Sequence, residues 1–255
     1  MNSRITRRKF AQNYLKDAAV LFEMGKVIAA TENDNFIEIG PGQGALTNQI
    51  NKSSVNIFAV DIDEENIKYL DKKFNGPANI HFINEDILKF RLPNSDSKFR
   101  IVGSLPYNIS TQIMIMFIDD YQKIKDMHFL IQKEVANKVN GKISSRNWGK
   151  LSLKMSAFFD TEILFDVPPE AFDIKPKVTS SFIRCIPRKN LGYDISIKKK
   201  FFKIIDLAFL SKRKNIKNNL KGLDISWDDV NIDPMKRPED LSVDDFIKLS
   251  KVYKV

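Results

Sequence analysis

The segment Glu38–Thr47, EIGPGQGALT, brings Gly40, Gly42 and Gly44 to the turn between a strand-like run and a helical one. Glycines there let the backbone approach a ligand closely. A dinucleotide, a nucleoside cofactor or a bare phosphate would each use such a loop, and so would a tight turn with no ligand. Asp61 closes the second strand-like run, where its carboxylate can accept hydrogen bonds from both hydroxyls of a ribose; nicotinamide enzymes share that feature. Asp86, in NEDILKF, follows the third run and puts a second acid on the same rim, where it can meet an adenine amino group. Two carboxylates repel a pyrophosphate and tolerate a sulfonium, so the pair favours S-adenosylmethionine as the cofactor.

The fourth run ends in GSLPYNIST, Gly103–Thr111. An adenine amino nitrogen is a poor nucleophile because its lone pair is delocalised into the ring. Acceptors that hold its hydrogens aim the lone pair at a methyl donor without any strong general base. Ser104 and the carbonyl of Leu105 are candidate acceptors, Pro106 stiffens the turn, and Tyr107 offers a ring on which a base can stack. A plain loop with a core tyrosine is the competing reading. His81 and His128 lie on strand patterns without metal-ligand companions, and Cys185 lies within a strand-like run, so no metal and no nucleophile is assigned; Met114 and Met116 read as helix packing.

The elements that must position these residues alternate. Strand-like runs at 36–39, 56–60, 80–83, 100–102 and 127–131 are separated by helical patterns at 45–50, 64–74, 111–119 and 133–139. That alternation predicts a Rossmann-like α/β fold with a mostly parallel sheet and right-handed crossovers. Adjacent runs at 162–167 and 180–186, with a proline-bearing loop between them, predict an antiparallel pair at the end of the sheet. After Pro187 the pattern is helical at 197–209, 212–221 and 243–251. The expected division is a catalytic, cofactor-binding domain over 1–190 and a small helical RNA-binding domain over 191–255.

A chain of 255 residues with 43% hydrophobic content can bury one full core and a small second domain. One cysteine cannot form an internal disulfide, and no stretch approaches the ~20 apolar residues of a membrane span. A soluble, unprocessed, cytoplasmic monomer is expected. The net charge of +9 suits a polyanion, and its distribution is informative. Arg4, Arg7, Arg8 and Lys9 carry no acid among them. The segment 198–221 sets Lys198, Lys199, Lys200, Lys203, Lys212, Arg213, Lys214, Lys217 and Lys221 against Asp206 alone.

The ordered segments RKFAQNYL, EIGPGQGALT, SLPYNIST, IQKEVANKV, WGKLS and VPPEAFDIKPKVTSS, with AFLSKRKNIKNNL and RPEDLSVDDFIKL after them, resemble the KsgA family over nearly the whole chain. That family dimethylates two adjacent adenines in a hairpin of small-subunit ribosomal RNA. The resemblance implies a class I methyltransferase sheet and cofactor contacts at Asn13, Leu15, Gly40, Asp61, Asp86 and Ser104. It implies a base site at Ser104, Leu105, Pro106 and Tyr107, with Phe172 stacking on the flipped-out adenine opposite Tyr107. The implied partners are small-subunit rRNA and the immature 30S subunit. Three positions depart from the family: Ser104 stands where asparagine is usual, Ala11 replaces a glycine, and Ile174 with Lys175 replaces part of a proline run. A serine is shorter by roughly one bond length, and an error of ~1 Å can cost ~100-fold in rate. The alternative is therefore a weakly active or inactive relative that binds rRNA as an assembly factor.

Overall fold

Short runs rich in isoleucine, valine and phenylalanine can bury both faces only inside a sheet, and here they form one. The computed structural model describes residues 13–52, 55–76, 78–211 and 213–253. Its strands are β1 (Asn35–Ile39), β2 (Asn56–Asp61), β3 (Ile80–Asn84), β4 (Phe99–Ser104), β5 (Ile124–Gln132), β6 (Phe159–Val167) and β7 (Ser180–Pro187), in the order β3-β2-β1-β4-β5-β7-β6. The first five run parallel, and β7 lies antiparallel against β5. The Ser181 hydroxyl donates to Asp166 and the Arg184 guanidinium to Glu162, contacts that run in opposite chain directions. β6 and β7 therefore form the antiparallel pair expected from their adjacency.

Helix α1 (Ala18–Ile28) precedes β1, and between the strands lie α2 (Ala45–Ile50), α3 (Glu64–Phe74), α4 (Ser110–Met116) and α5 (Lys133–Val139). α3 shows why such segments begin and stop where they do. The Asp63 carboxylate accepts from the Glu65 amide, Glu64 and Glu65 occupy the first turn, Lys72 and Lys73 the last, and Asn75 ends the helix in the left-handed region. α1, AAVLFEMGKVI, is largely apolar, with Glu23 and Lys26 on its exposed face. Its start is set by Asp17, whose carboxylate accepts from the Ala19 and Val20 amides, and its buried face by Leu21, Met24 and Ile28.

The C-terminal end of α1 is anchored beneath the sheet. Arg100, second residue of β4 and 5% exposed, donates to both carboxylate oxygens of Asp126, to Asp34 at 2.9 Å, and to the carbonyls of Ile28 and Ala29. A buried guanidinium is tolerable only when so fully paired. Asp34 is held down at about 2 although burial opposes ionisation; Lys125, Thr31 and Arg100 all donate to it.

The chain separates into two compact units, Met1–Ala136 with Glu162–Pro187, and Asn137–Thr161 with Arg188–Val255. The second break falls close to the boundary expected near Asn190. The segment Asn137–Thr161, expected inside 1–190, instead belongs to the second unit. The physical reason is its packing there: α6 (Lys150–Ser156) carries Lys154, whose ammonium sits 3.0 Å from both oxygens of Asp206 on α7 (Lys198–Ala208). The Trp148 indole donates to the Leu241 carbonyl at 2.9 Å. The helix expected over 212–221 shortens to α8 (Ile216–Asn219), because Asn215 caps it and the Asn219 amide bonds back to Ser211 and Lys214. α9 (Trp227–Val230) and α10 (Val243–Val252) complete the unit, the latter closed by a Ser242–Asp245 capping box.

Candidate active site

In an open parallel sheet the crevice for a ligand lies at the carboxyl ends of the strands where the order reverses. Here that point is between β1 and β4. Gly40 leaves β1 with φ +62°, and a Cβ on it would sit 3.8 Å from the Ser104 carbonyl oxygen at the end of β4. Two residues on, Gly42 has φ +55°, and a Cβ there would lie 2.7 Å from the ring of Tyr14. The glycine loop is thus roofed by the segment preceding α1, and the result is a cleft within the first unit.

One wall is the end of β2. Asp61 is 7% exposed; it accepts from the Asp63 amide at 2.9 Å, the Asn66 side-chain amide at 2.9 Å and, more distantly, the Gly42 amide at 3.4 Å. The Tyr14 hydroxyl donates to Asn66 at 3.0 Å, so a tyrosine from the N-terminal segment helps hold the β2 carboxylate. Burial raises the Asp61 carboxyl above its ordinary range against those hydrogen bonds. Beneath the loop, Glu38 is 1% exposed, lines the cleft, and its Oε2 has no hydrogen-bond partner among the described residues. Burial pushes its pKa up to about 7, and the Asp61 charge adds to that, while Thr47 at the start of α2 draws it down.

The opposite wall is the loop after β4. The Leu105 amide donates to the Leu130 carbonyl at 3.0 Å, continuing the β4–β5 ladder one residue past the strand. Pro106 then turns the chain, with the Ile109 amide on its carbonyl at 3.2 Å. Half-buried Tyr107 places its hydroxyl 2.7 Å from that of Ser180 on β7. Burial raises the phenol pKa.

Asn13, Leu15, Gly40, Asp61, Ser104, Leu105, Pro106, Tyr107 and Phe172 all line this one cleft. Asp86 does not. Its carboxylate accepts from the Leu88 amide and its carbonyl from Lys89 and Phe90, so the NEDILKF acid closes its own turn beside the rim. Glu38 lines the cleft as a carboxylate beside Asp61. Phe172 lies where expected but is 1% exposed, packed in the core with Leu15, Leu21, Met24, Val167 and Phe182. A β-bridge joins it to Leu15, and the Lys16 and Asp17 amides both donate to the Ala171 carbonyl. Phe172 therefore backs the cleft wall, and Tyr107 is the ring with a free surface.

Tyr14, Glu38, Ile62 and Asn66 also line the cleft and were not singled out from the sequence. Glu38 had a usable signal, an acid inside the otherwise apolar strand NFIEI, because a buried polar residue is informative where a buried apolar one is not. Cys185 is buried with its thiol pushed up to about 12, and His128 is buried and lowered to about 4 by desolvation.

The family model described as ribosomal RNA adenine dimethylase matches residues 4–254. The chain belongs to that family. It is 36% identical over 250 residues to the ribosomal RNA small subunit methyltransferase A of Coxiella burnetii, covering 96% of this chain and 97% of the relative. It is 37% identical over 248 residues to the same-named protein of Legionella pneumophila, covering 96% of each. Among solved structures, a dimethyladenosine transferase from Plasmodium falciparum superposes with a TM-score of 0.80 at 20% identity, over 94% of this chain and 98% of that one. The 23S rRNA methyltransferase ErmE does so at 0.71 and 22%, over 94% and 98%. These two likenesses are of fold, a class I methyltransferase sheet. This rRNA adenine dimethyltransferase thus sets its cleft where that sheet binds ligands.

Its excess of cations over acids lies in the second unit. Lys199, Lys203, Arg213, Lys214, Lys217 and Lys221 are exposed. Asp206, the lone acid of that stretch, is engaged by Lys154 and Lys150, which leaves the surplus larger than the sequence count implies. Arg4–Lys9 and Lys212 lie outside the described residues. Among the described residues no helix is long and apolar enough to cross a membrane.

Proposed function

We propose that this protein holds S-adenosylmethionine in the Gly40–Asp61 cleft and transfers methyl groups to the N6 atoms of two adjacent adenines. The substrate is a hairpin near the 3′ end of small-subunit rRNA, met by a cytoplasmic monomer on immature 30S particles. The observation that carries this reading is that the glycine loop and the Ser104–Tyr107 loop, which leave β1 and β4, line one cleft.

The residues present fit that cofactor. Two carboxylates, Asp61 and Glu38, face the cleft, one of them with an unpartnered buried oxygen, and this suits a cation and opposes a pyrophosphate. An ionised carboxylate has about four acceptor sites, so Asp61 retains capacity for ribose hydroxyls beside its bonds to Asp63 and Asn66. Asn13, Leu15 and Gly40 would close over the ligand. S-adenosylmethionine supplies an electrophilic methyl group, so the protein needs no nucleophile of its own. Its task is to orient the amino group: the Ser104 hydroxyl and the Leu105 carbonyl accept its hydrogens, Pro106 keeps the turn rigid, and the Tyr107 ring stacks on the base with Phe172 behind it. Exposed cations of 198–221 and the Arg4–Lys9 arm would meet the RNA phosphates.

Ser104 favours one other reading, an rRNA-binding assembly factor with little transfer, because its hydroxyl reaches less far than the family's asparagine amide. Methyl transfer from labelled S-adenosylmethionine to unmethylated small subunits separates the two. Transfer by the natural protein, faster in Ser104→Asn, supports the enzyme. Transfer by the asparagine variant alone would make the natural protein a binding factor, and transfer by neither would overturn the cleft assignment.

A further inference from the structure

We infer that Ser180 is a positioning residue for methyl transfer, acting through Tyr107 by fixing the plane of its ring before a base arrives. This rests on the assignment of Tyr107 as the stacking ring. Tyr107 follows a proline turn on a half-buried loop, where a phenol ring would swing about its own side-chain bonds. Two hydroxyls restrain it: Ser110 donates to its backbone carbonyl at 3.3 Å, and Ser180 sits 2.7 Å from its phenol oxygen. Ser110 and Ser180 are both 0% exposed, so neither is readily replaced by water.

The support behind Ser180 is rigid. Ser180 pairs in register with Gln132 on β5, and the neighbouring Lys133 amide donates to the Thr179 carbonyl at 3.0 Å. The next hydroxyl along, that of Ser181, donates to Asp166, which also holds Lys133 at 2.6 Å. The antiparallel strand β7, inserted beside β5, is therefore what brings a hydroxyl from the far end of the sheet to the β4 loop. With its phenol engaged, Tyr107 presents a ring face to a base and no free hydroxyl. Prepositioning of this kind acts on the rate of the oriented step and leaves cofactor affinity alone.

The test is a double-mutant cycle with Ser180→Ala, Tyr107→Phe and the pair, read as single-turnover methyl transfer to unmethylated small subunits alongside S-adenosylmethionine affinity. Each single variant is expected to slow transfer about fivefold, the size of one neutral hydrogen bond, with cofactor affinity unchanged. The double variant should be no slower than either single one, because both remove the same contact. Losses that multiply to about 25-fold, or a Ser180→Ala variant as fast as the natural protein, would overturn the inference. Tyr107→Ala keeps the two questions apart: full activity in that variant would refute the stacking assignment itself.

Discussion

Glu38→Gln is the most informative single change. Glu38 is fully enclosed beneath the glycine loop, with Thr47 and Asp61 as the polar groups nearest it, and its pKa rises from 4.5 to about 7 through burial. An acid whose native pKa lies above its unfolded value binds its proton more tightly in the native state. Stability is then highest below about 4.5, falls as pH rises to about 7, and levels off above. At about 1.4 kcal/mol per pH unit, the cost of ionising this buried carboxyl is about 3 kcal/mol. Urea unfolding of natural protein and variant between pH 5 and 8 should show the variant gaining about 3 kcal/mol relative to the natural chain across that window, since glutamine keeps the shape and cannot ionise. S-adenosylmethionine reverses the balance, because a cation in the cleft favours the ionised form. Affinity should therefore rise with pH through about 7 in the natural protein, with proton release on binding, and stay flat in the variant. Calorimetric titrations in two buffers of different ionisation enthalpy measure that release directly. Parallel stability profiles together with binding that releases no proton would refute the assignment of Glu38 as the second carboxylate of the cleft.

Arg100→Met should lower stability by about 3–5 kcal/mol in urea unfolding at pH 7, because buried Asp34 and half-buried Asp126 would lose their shared cation, with Lys125 the one cation left on Asp34 among the described residues; a loss under about 1 kcal/mol would show that the network is solvent-screened. Gly42→Ala should weaken S-adenosylmethionine binding by tenfold or more by equilibrium dialysis, since the new methyl meets the Tyr14 ring and a left-handed residue costs about 1–2 kcal/mol. Gly76→Ala is the control: it shares a positive φ with open space around it, and should leave binding unchanged. Replacing Lys199, Lys203 and Lys217 together by serine should flatten the salt dependence of rRNA binding by roughly 0.7–0.9 in log–log slope per lost phosphate contact; an unaltered slope would move the RNA interface elsewhere.

Much of this protein follows from local sequence. The bounds of α2, α3 and α5 fall where the helical pattern puts them, and β1 to β5 differ from the expected runs by a few residues at their ends. Alternation of strands and helices determined a parallel sheet, since parallel strands need crossovers. The glycine loop and the Ser104–Tyr107 loop could be assigned to the same rim because both end strands of one sheet, and the carboxyl ends of parallel strands lie together. Asp61 belongs with them for the same reason. What needed the tertiary structure was every contact between segments distant in sequence. Asp86 reads as a rim acid, and the structure adds that its carboxylate also accepts from the Leu88 amide two residues on, which ties it to its own turn. The resemblance makes Phe172 a stacking partner for the base, but its burial is set by the core it shares with Leu15, to which a β-bridge joins it once the N-terminal segment crosses the VPPEAF loop. The acid inside NFIEI stands out in the sequence, but its ionisation is decided only when neighbours on both sides of β1 exclude water from it, and Ser180 reaches Tyr107 only because β7 runs antiparallel beside β5. Patterning fixes which face of an element is apolar; burial, and with it the ionisation and hydrogen bonding of every polar group in the cleft, depends on what the rest of the chain lays over that face.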